Sequence, residues 1–489
     1  MKGLRSLFHS DSLLGKSLQG VGALSIGSLF ENGLRFLRNI ILARVIAPED
    51  FGLMAVVISA VAAMEAMAEV GLVQSVIQNK NGKDEKFLNI VWWLSSARGF
   101  FLFSVGFLLA PHVALFFGKP ESSDLLKAGF SVIFLNGIIS PRVHVLQKDL
   151  QFFRWILLIQ GAAFLGVSTA IVGAFLIPNV WALVIGYIVE AFARTTGGFI
   201  FYPFRPRFSW EKTYFSEITA FSRRIIGLPI LMMLFLQADT FVIGKVVSVS
   251  ALGMYVLAKD LADIHNKFLQ RINPVILPVF SLMQEDKEKL SNAVLNICKI
   301  LALFGIPLTG FLMLFAVDLL GFIYGPDYRE VGKAFAVLSV YTFLGLFAKP
   351  MMNAYMAIGR PDYQRNAALA RTFFFLAALY PMTETFGLVG SAIASLLAMA
   401  IAFVIQLYYL WKVLEMDIRR FFQAWMPGLK WTVLVILSSS IIRLFYGLDG
   451  NLALIIGFLF LLASWAGGAT ELLKGRSFLQ FHGAKLFEK

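Results

Sequence analysis

Long apolar stretches recur down the whole chain, separated by short runs that carry charge, Gly or Pro. Stretches of about 20 residues match the hydrocarbon core of a bilayer, so each is read as a transmembrane helix. About fourteen are expected, near 21–46, 51–77, 88–111, 125–146, 154–177, 180–203, 215–246, 251–279, 292–323, 332–357, 364–383, 387–412, 424–446 and 452–473. The pattern predicts an all-α polytopic membrane protein.

The connections form two chemical sets that alternate. One set is basic, including Lys80, Lys83 and Lys86, Arg205, Arg207 and Lys212, and Lys412, Arg419 and Arg420. The other is almost free of Lys and Arg, as at Ala47-Pro48-Glu49-Asp50 and Pro178-Asn179, with Lys119 and Arg329 as exceptions. Basic loops stay on the cytoplasmic side, which places both termini there and makes the number of spans even. No connection on the other side is long enough for an external soluble domain. Residues 1–20 lack an unbroken apolar run and read as an amphipathic segment on the cytoplasmic surface, without a cleavable signal peptide.

The chain also repeats. At a shift of 201 positions Phe51-Gly52-Leu53 falls on Leu252-Gly253-Met254, and at 207 Ala114 to Gly118 falls on Gly321 to Gly325. Phe152-Phe153-Arg154 is similar to Tyr363-Gln364-Arg365 at 211. Six spans per copy preserve orientation, so two parallel six-helix halves are expected about a pseudo-two-fold along the membrane normal. The expected divisions are an N-terminal segment (1–20), a first bundle (21–203), a linker (204–214), a second bundle (215–412), two extra helices (413–473) and a tail (474–489).

Several charges lie inside the apolar stretches. Glu31, Arg35 and Arg38 share one helical face in the first span, and exposing all three to lipid would cost about 8–10 kcal/mol. That face must meet protein or a hydrated cavity. In the eighth span Lys259, Asp263, Lys267 and Arg271 step by four along one side, a stripe that no lipid-facing helix carries. Together these seven residues form the expected substrate cavity. Glu65 and Glu69 share a face in the second span, and Asp239 in the seventh is the repeat equivalent of Arg38. These three are the expected gating or coupling residues, with Asp239 and Arg38 pairing across the pseudo-axis. Arg98, Glu190, Arg194, Arg223, Lys349 and Arg371 are further internal charges. The excess of cations suits an anionic head group such as a phosphate.

Composition agrees. Of 489 residues 58% are hydrophobic and 15% charged, with a mean hydropathy of +0.74, whereas soluble chains carry about 25% charged residues. The net charge of +13 resides in loops beside a phospholipid surface, so nucleic acid is not the implied partner. The one cysteine, Cys298, excludes an internal disulfide. Gly15-Lys16-Ser17 imitates the end of a P-loop, but position 10 is Ser and no strand precedes it. His9, His112, His144, His265 and His482 lie in unrelated segments, so no metal site, catalytic constellation or cofactor is expected.

From Leu42 to Leu53 the chain reads Leu-Ala-Arg-Val-Ile-Ala-Pro-Glu-Asp-Phe-Gly-Leu, which resembles the polysaccharide transporter family. These are the Wzx-type oligosaccharide flippases of the multidrug/oligosaccharidyl-lipid/polysaccharide superfamily. Members typically show an Ala-Arg, a short outer turn with Pro-Glu-Asp or similar, and an aromatic-Gly start to the second helix. The span count, the two halves and Pro274-Val275-Ile276-Leu277-Pro278 before a turn at Ser281 to Asp286 extend the resemblance over the whole chain, nearest to exporters of colanic-acid type. The resemblance implies transfer of an undecaprenyl-diphosphate-linked oligosaccharide across the bacterial inner membrane. It places the cationic cavity on Arg35 and Arg38, and on Lys267 and Arg271. Titration of Glu65, Glu69, Asp239 or Asp263 is the expected route by which a proton or sodium gradient would couple to transport, with the ion unassigned, and membrane proteins of polymer assembly are expected partners. The Pro-Asn-x-x-Arg-Arg signature of peptidoglycan-precursor flippases is not found. Two other classes stay open on the residues: a cation-coupled multidrug antiporter of the same superfamily, which should carry an acidic cavity, and a polytopic polymerase or ligase, which should carry longer external loops.

Overall fold

The computed structural model describes residues 13–68, 71–209, 211–225, 228–269, 273–446 and 450–474, with no strand among them. Packing divides the chain into two compact units, Met1–Val256 and Leu257–Lys489. The first contains α1 (Leu13–Leu42), α2 (Pro48–Met67), α3 (Leu72–Gln78), α4 (Glu85–Phe116), α5 (Ser123–Gly137), α6 (Arg142–Lys148), α7 (Phe152–Leu176), α8 (Val180–Phe201), α9 (Lys212–Ile225), α10 (Leu228–Val246) and the start of α11 (Val249–Ala262). The second continues with α12 (Ile264–Leu269), α13 (Asn273–Ser281), α14 (Lys287–Leu314), α15 (Ala316–Ile323), α16 (Gly332–Ala357), α17 (Pro361–Leu414), α18 (Ile418–Gln423), α19 (Met426–Tyr446) and α20 (Gly450–Lys474).

Among the described residues nine helices are long and apolar enough to cross a membrane, or ten if a broken pair counts as one span. That pair is Pro120–Gly137 with Arg142–Lys148, bent by 63°. Fifteen residues of α5 reach about 22 Å, short of the roughly 30 Å hydrocarbon core, so α5 alone does not match its thickness. The backbone at the bend finds partners on neighbouring helices. Thr195 Oγ1 donates to the Leu135 carbonyl (2.9 Å), Ser96 Oγ to that of Gly137 (3.4 Å) and Trp92 Nε1 to that of Ile138 (3.0 Å). Such capping is what lets a helix break at membrane depth.

The start of α2 illustrates local logic. Pro48 occupies the first turn, where its missing N–H costs nothing. Asp50 then accepts from the Ala47 N–H (3.2 Å) and from the Val180 N–H (3.0 Å), which ties the first turn of α2 to that of α8. Glu49 meets Lys119 at 2.5 Å at the same rim.

Near the same end α2 and α11 meet backbone to backbone. A Cβ at Gly52 would lie 1.8 Å from the Val249 carbonyl oxygen, and one at Gly253 would lie 1.8 Å from that of Pro48. The two contacts are reciprocal: Gly253 lies 201 positions after Gly52 and Val249 lies 201 after Pro48, the shift read from the sequence. Only a residue without a side chain permits this approach.

Two expected spans are divided. The stretch 215–246 separates into α9 and α10, and α9 docks on the first unit. Ile218 is buried with Val76, Phe87 and Leu88, the Tyr214 ring meets Phe87 edge-on at 5.6 Å, and Asn79 Nδ2 donates to Glu217 at 2.7 Å. The stretch 251–279 separates into α11, α12 and α13. By contrast α17 is 54 residues long because helix continues on both sides of a kink at Gly387 (φ 57°), and it carries the two stretches expected at 364–383 and 387–412. In the second unit Phe347, Phe403, Phe421 and Trp425 form an aromatic core between α16, α17 and α18, closed by the Tyr355 hydroxyl donating to the Gln406 carbonyl at 2.5 Å.

Gly52→Val or Gly253→Val is expected to destabilise the detergent-solubilised protein by about 1–3 kcal/mol through overpacking, read as a lower thermal midpoint. Gly33→Ala, at a position with nothing within 4 Å of a new Cβ, should leave the midpoint unchanged or slightly higher. Equal midpoints for all three variants would contradict the contact.

Candidate functional site

The charged face of α1 does not look onto lipid. Arg35 donates from Nε to Glu31 (3.1 Å) and from Nη2 to Glu190 on α8 (2.8 Å), while Gln160 on α7 donates to the other oxygen of Glu31 (3.0 Å). One guanidinium thus holds two carboxylates, and three helices meet around a cluster of net charge −1. The helical spacing of Glu31 and Arg35 places them in reach of each other, and the tertiary partner Glu190 completes the site. Side-chain exposure is 34% for Arg35 and 17% for Glu190, so the cluster is partly open. Arg38 donates from Nε (3.2 Å) and Nη2 (2.9 Å) to the amide oxygen of Asn39, itself buried.

A second polar chain crosses the first unit. Asn136 on α5 donates to Glu65 on α2 (3.0 Å) and accepts from Arg194 on α8 (2.6 Å). Arg98 on α4 donates to the Ala68 carbonyl, which follows the last turn of α2, at 3.2 Å. Glu69 lies outside the described residues. Asp239 on α10 is 2% exposed and accepts from the Thr240 N–H at 2.9 Å, two residues beyond Gln237, which accepts from Ser59 Oγ at 2.6 Å.

In the second unit the expected stripe crosses a turn. Helix α11 ends at Ala262, Asp263 sits at the break, and α12 begins at Ile264. Lys267 turns back to Asp260, to its carboxylate at 2.6 Å and its carbonyl at 3.1 Å, and Asp263 accepts from Asn266 at 2.7 Å. Lys259 is half-buried one turn earlier, and Arg271 lies outside the described residues. Backbone bonds from the Asp263 N–H to the Lys259 carbonyl and from the Lys267 N–H to the Asp263 carbonyl (3.0 Å each) carry the spacing of four across the turn.

Each unit contains a cavity of about 360 Å3. In the first, Arg98, Asn136, His144, Gln147, Trp155 and Arg194 supply the polar and aromatic walls. In the second, Asp263, Asn266, Tyr341, Lys349, Arg371 and Gln406 do so. Asn136, Gln147, Trp155 and Gln160 carry no charge, so the hydropathy pattern had singled out none of them. Among the described residues no group of three or more His, Cys, Asp or Glu side chains is placed to hold a metal ion.

The family described as Polysaccharide biosynthesis protein matches residues 41–333. Lipopolysaccharide biosynthesis protein WzxC of Escherichia coli (strain K12) is 23% identical over 85% of this chain and 85% of its own. Succinoglycan biosynthesis transport protein ExoT of Rhizobium meliloti (strain 1021) is 26% identical over 54% of this chain and 53% of its own. Among solved structures the fold is similar to that of lipid II flippase MurJ in an inward closed conformation, with a TM-score of 0.76, 15% identity and coverage of 92% of this chain and 98% of that one. It is also similar to an inward-facing multidrug resistance MATE family transporter, with a TM-score of 0.61, 16% identity and coverage of 80% and 99%.

Replacing Glu190 by Gln is expected to lower the unfolding free energy by about 1–3 kcal/mol, because Arg35 then keeps a single carboxylate. Combining Glu190→Gln with Arg35→Gln should cost less than the sum of the two. Strictly additive losses of thermal stability would place the ion pair in doubt.

Proposed function

Because the chain belongs to the polysaccharide biosynthesis protein family, we propose that it moves an undecaprenyl-diphosphate-linked oligosaccharide between leaflets of the bacterial inner membrane. The observation that carries this reading is a multi-pass helical protein whose ionised side chains are gathered into internal polar clusters and cavities. A lipid tail can stay in the bilayer while its charged head and sugars need such a wet interior. The names of the relatives, one a transport protein of succinoglycan biosynthesis and one a lipopolysaccharide biosynthesis protein, support the same substrate class.

In this reading fourteen spans form two six-helix halves, 21–203 and 215–412, with 413–473 appended and both termini cytoplasmic. The reciprocal contact at Gly52 and Gly253 supports the repeat, and the basic loops support the orientation. The halves rock in alternating access. The diphosphate engages Arg35 and Arg38, assisted by Lys259, Lys267 and Arg271. Glu31 and Glu190 already occupy two donor sides of Arg35, so an incoming diphosphate competes with them for the guanidinium. A charge-assisted hydrogen bond is worth about 1.5–3 kcal/mol, which makes such an exchange close to balanced and reversible. Protonation of either carboxylate would favour the anion, and proton and substrate would then be linked reciprocally. Glu65, Glu69, Asp239 and Asp263 are further sites where a proton or sodium ion couples, and Asp239 with Arg38 serves as a gate. Membrane proteins of polymer assembly are the partners on either side.

One observation favours a second reading, export of cationic drugs: the Glu31, Arg35 and Glu190 cluster carries one more acid than base. Drug resistance conferred by overexpression would support it.

Arg35→Ala or Arg38→Ala, at normal protein levels, is expected to reduce polymer export in cells by about tenfold or more. Undiminished export in both variants would remove these residues from the mechanism.

A further inference from the structure

The two cavities occupy matching places in the repeat. Asn136, Ile139, Val143, Trp155 and Ile159 line the first; Gly345, Ala348, Met352, Gln364 and Ala368 line the second, each 209 positions further on. Five coincidences at one constant offset, on two successive spans of each copy, mark the cavities as duplicates of one ancestral feature. The residues are not matched one for one, since Asn136 falls on Gly345, Trp155 on Gln364 and Arg194 on Phe403. Each wall carries two basic side chains, Arg98 and Arg194 in one and Lys349 and Arg371 in the other, together with amides and an aromatic ring.

The first cavity is built by the broken helix. Carbonyls freed at the bend between α5 and α6 are taken up by Trp92, Ser96 and Thr195, so they do not crowd the opening. What remains on the wall is Arg98, His144 and Arg194, the last held by the neutral amide of Asn136, with the Gln147 amide and the Trp155 ring. A planar ring takes the apolar face of a pyranose, amides take hydroxyls, and a guanidinium takes an oxyanion in a bidentate fork. A volume of about 360 Å3 lies at the small end of ligand sites, which run from about 300 to 1,000 Å3. Position along the helices adds a second constraint. Trp155 lies in the first turn of α7 and Arg194 about two turns from the end of α8, so the cavity lies toward the basic loops, where a substrate made in the cytoplasm arrives.

We propose that this cavity is a saccharide subsite that holds an anionic group of the substrate, with Arg194 taking the oxyanion and Trp155 the sugar face. The inference rests on the transport reading and specifies an acidic or phosphoryl-bearing sugar region as what the first unit recognises. The second cavity, which has Asp263 on its wall, is the less anion-selective duplicate.

The test uses the purified full chain in lipid nanodiscs, with tetragalacturonate, inorganic pyrophosphate and neutral maltotetraose as probes in titration calorimetry at fixed salt. Tetragalacturonate is expected to bind the unaltered chain at least about tenfold more tightly than maltotetraose. Arg194→Gln should weaken it by about tenfold or more, and Arg194→Lys should weaken it less than Arg194→Gln but still measurably, since the charge stays and the bidentate fork is lost. Trp155→Ala should weaken the uronate and leave pyrophosphate unchanged, with Trp155→Phe close to the unaltered chain. If pyrophosphate alone binds and Arg194→Gln abolishes it, the oxyanion site stands and its natural occupant is the diphosphate linker. Binding of both anions that ignores Arg194→Gln and Trp155→Ala, or equal binding of maltotetraose, overturns the proposal. Export that requires the chain yet survives Arg194→Gln and Trp155→Ala would overturn the subsite and leave the transport reading standing, whereas export that persists when the chain is deleted, with the binding losses still observed, would do the reverse.

Discussion

An ion that has left water for a bilayer must find its countercharge or its hydrogen bonds inside the protein, and this requirement organises the molecule. Arg35 is the clearest case. Its guanidinium bridges Glu31 on its own helix and Glu190 on α8, while Gln160 on α7 uses up the remaining oxygen of Glu31. Removing any one of these leaves a partner half-satisfied in a poor solvent. The polar residues therefore do more than line a path: they fix which helices are neighbours. Asn136 plays the same part among α2, α5 and α8, with Glu65 on one side and Arg194 on the other.

Breaks in helices are the second device, and they coincide with the polar regions. The α5 and α6 bend faces the first cavity, and the stop between α11 and α12 puts Asp263 on the wall of the second. In both places backbone groups freed from the helix ladder are capped by side chains: Thr195 and Trp92 in one unit, and in the other Thr342, whose hydroxyl donates to the Ala262 carbonyl at 2.9 Å. Irregular backbone is thus confined to sites where protein can satisfy it, and the same sites gain room for a ligand.

Much of the architecture was readable because apolar length and helical period are strong one-dimensional signals. The stretches at 154–177 and 180–203 correspond to α7 and α8, and the divide near 387 is the Gly387 kink. That Glu31 and Arg35 share one face was legible from their spacing, whereas their partners Glu190 and Gln160 on other helices were not. Other parts were not. At 259, 263 and 267 the chain makes a turn at Asp263 while the Asp263 N–H still donates to the Lys259 carbonyl and the Lys267 N–H to that of Asp263 (3.0 Å each), and the Lys267 side chain reaches back to Asp260, a pairing that spacing by four does not show. The stretch 215–246 looked continuous because α9 is amphipathic and contributes apolar residues that serve a docked surface helix. Asn136, Gln160 and Trp155 escaped because a neutral polar or aromatic residue in a greasy helix raises no alarm until its neighbours are known.

The crossing of α2 and α11 has a genetic corollary. At that point each glycine faces the other helix's main chain, and a bulky replacement at 52 would press on the Val249 carbonyl as well as on its Cγ1 methyl, so trimming Val249 relieves only part of the clash and Gly253 has nothing to trim. Suppressors would have to arise where the helices are anchored, such as Asp50 with Val180 or Lys119 with Glu49, by letting a whole rod slide. The pair behaves as a bearing, whose tolerance is set by backbone thickness.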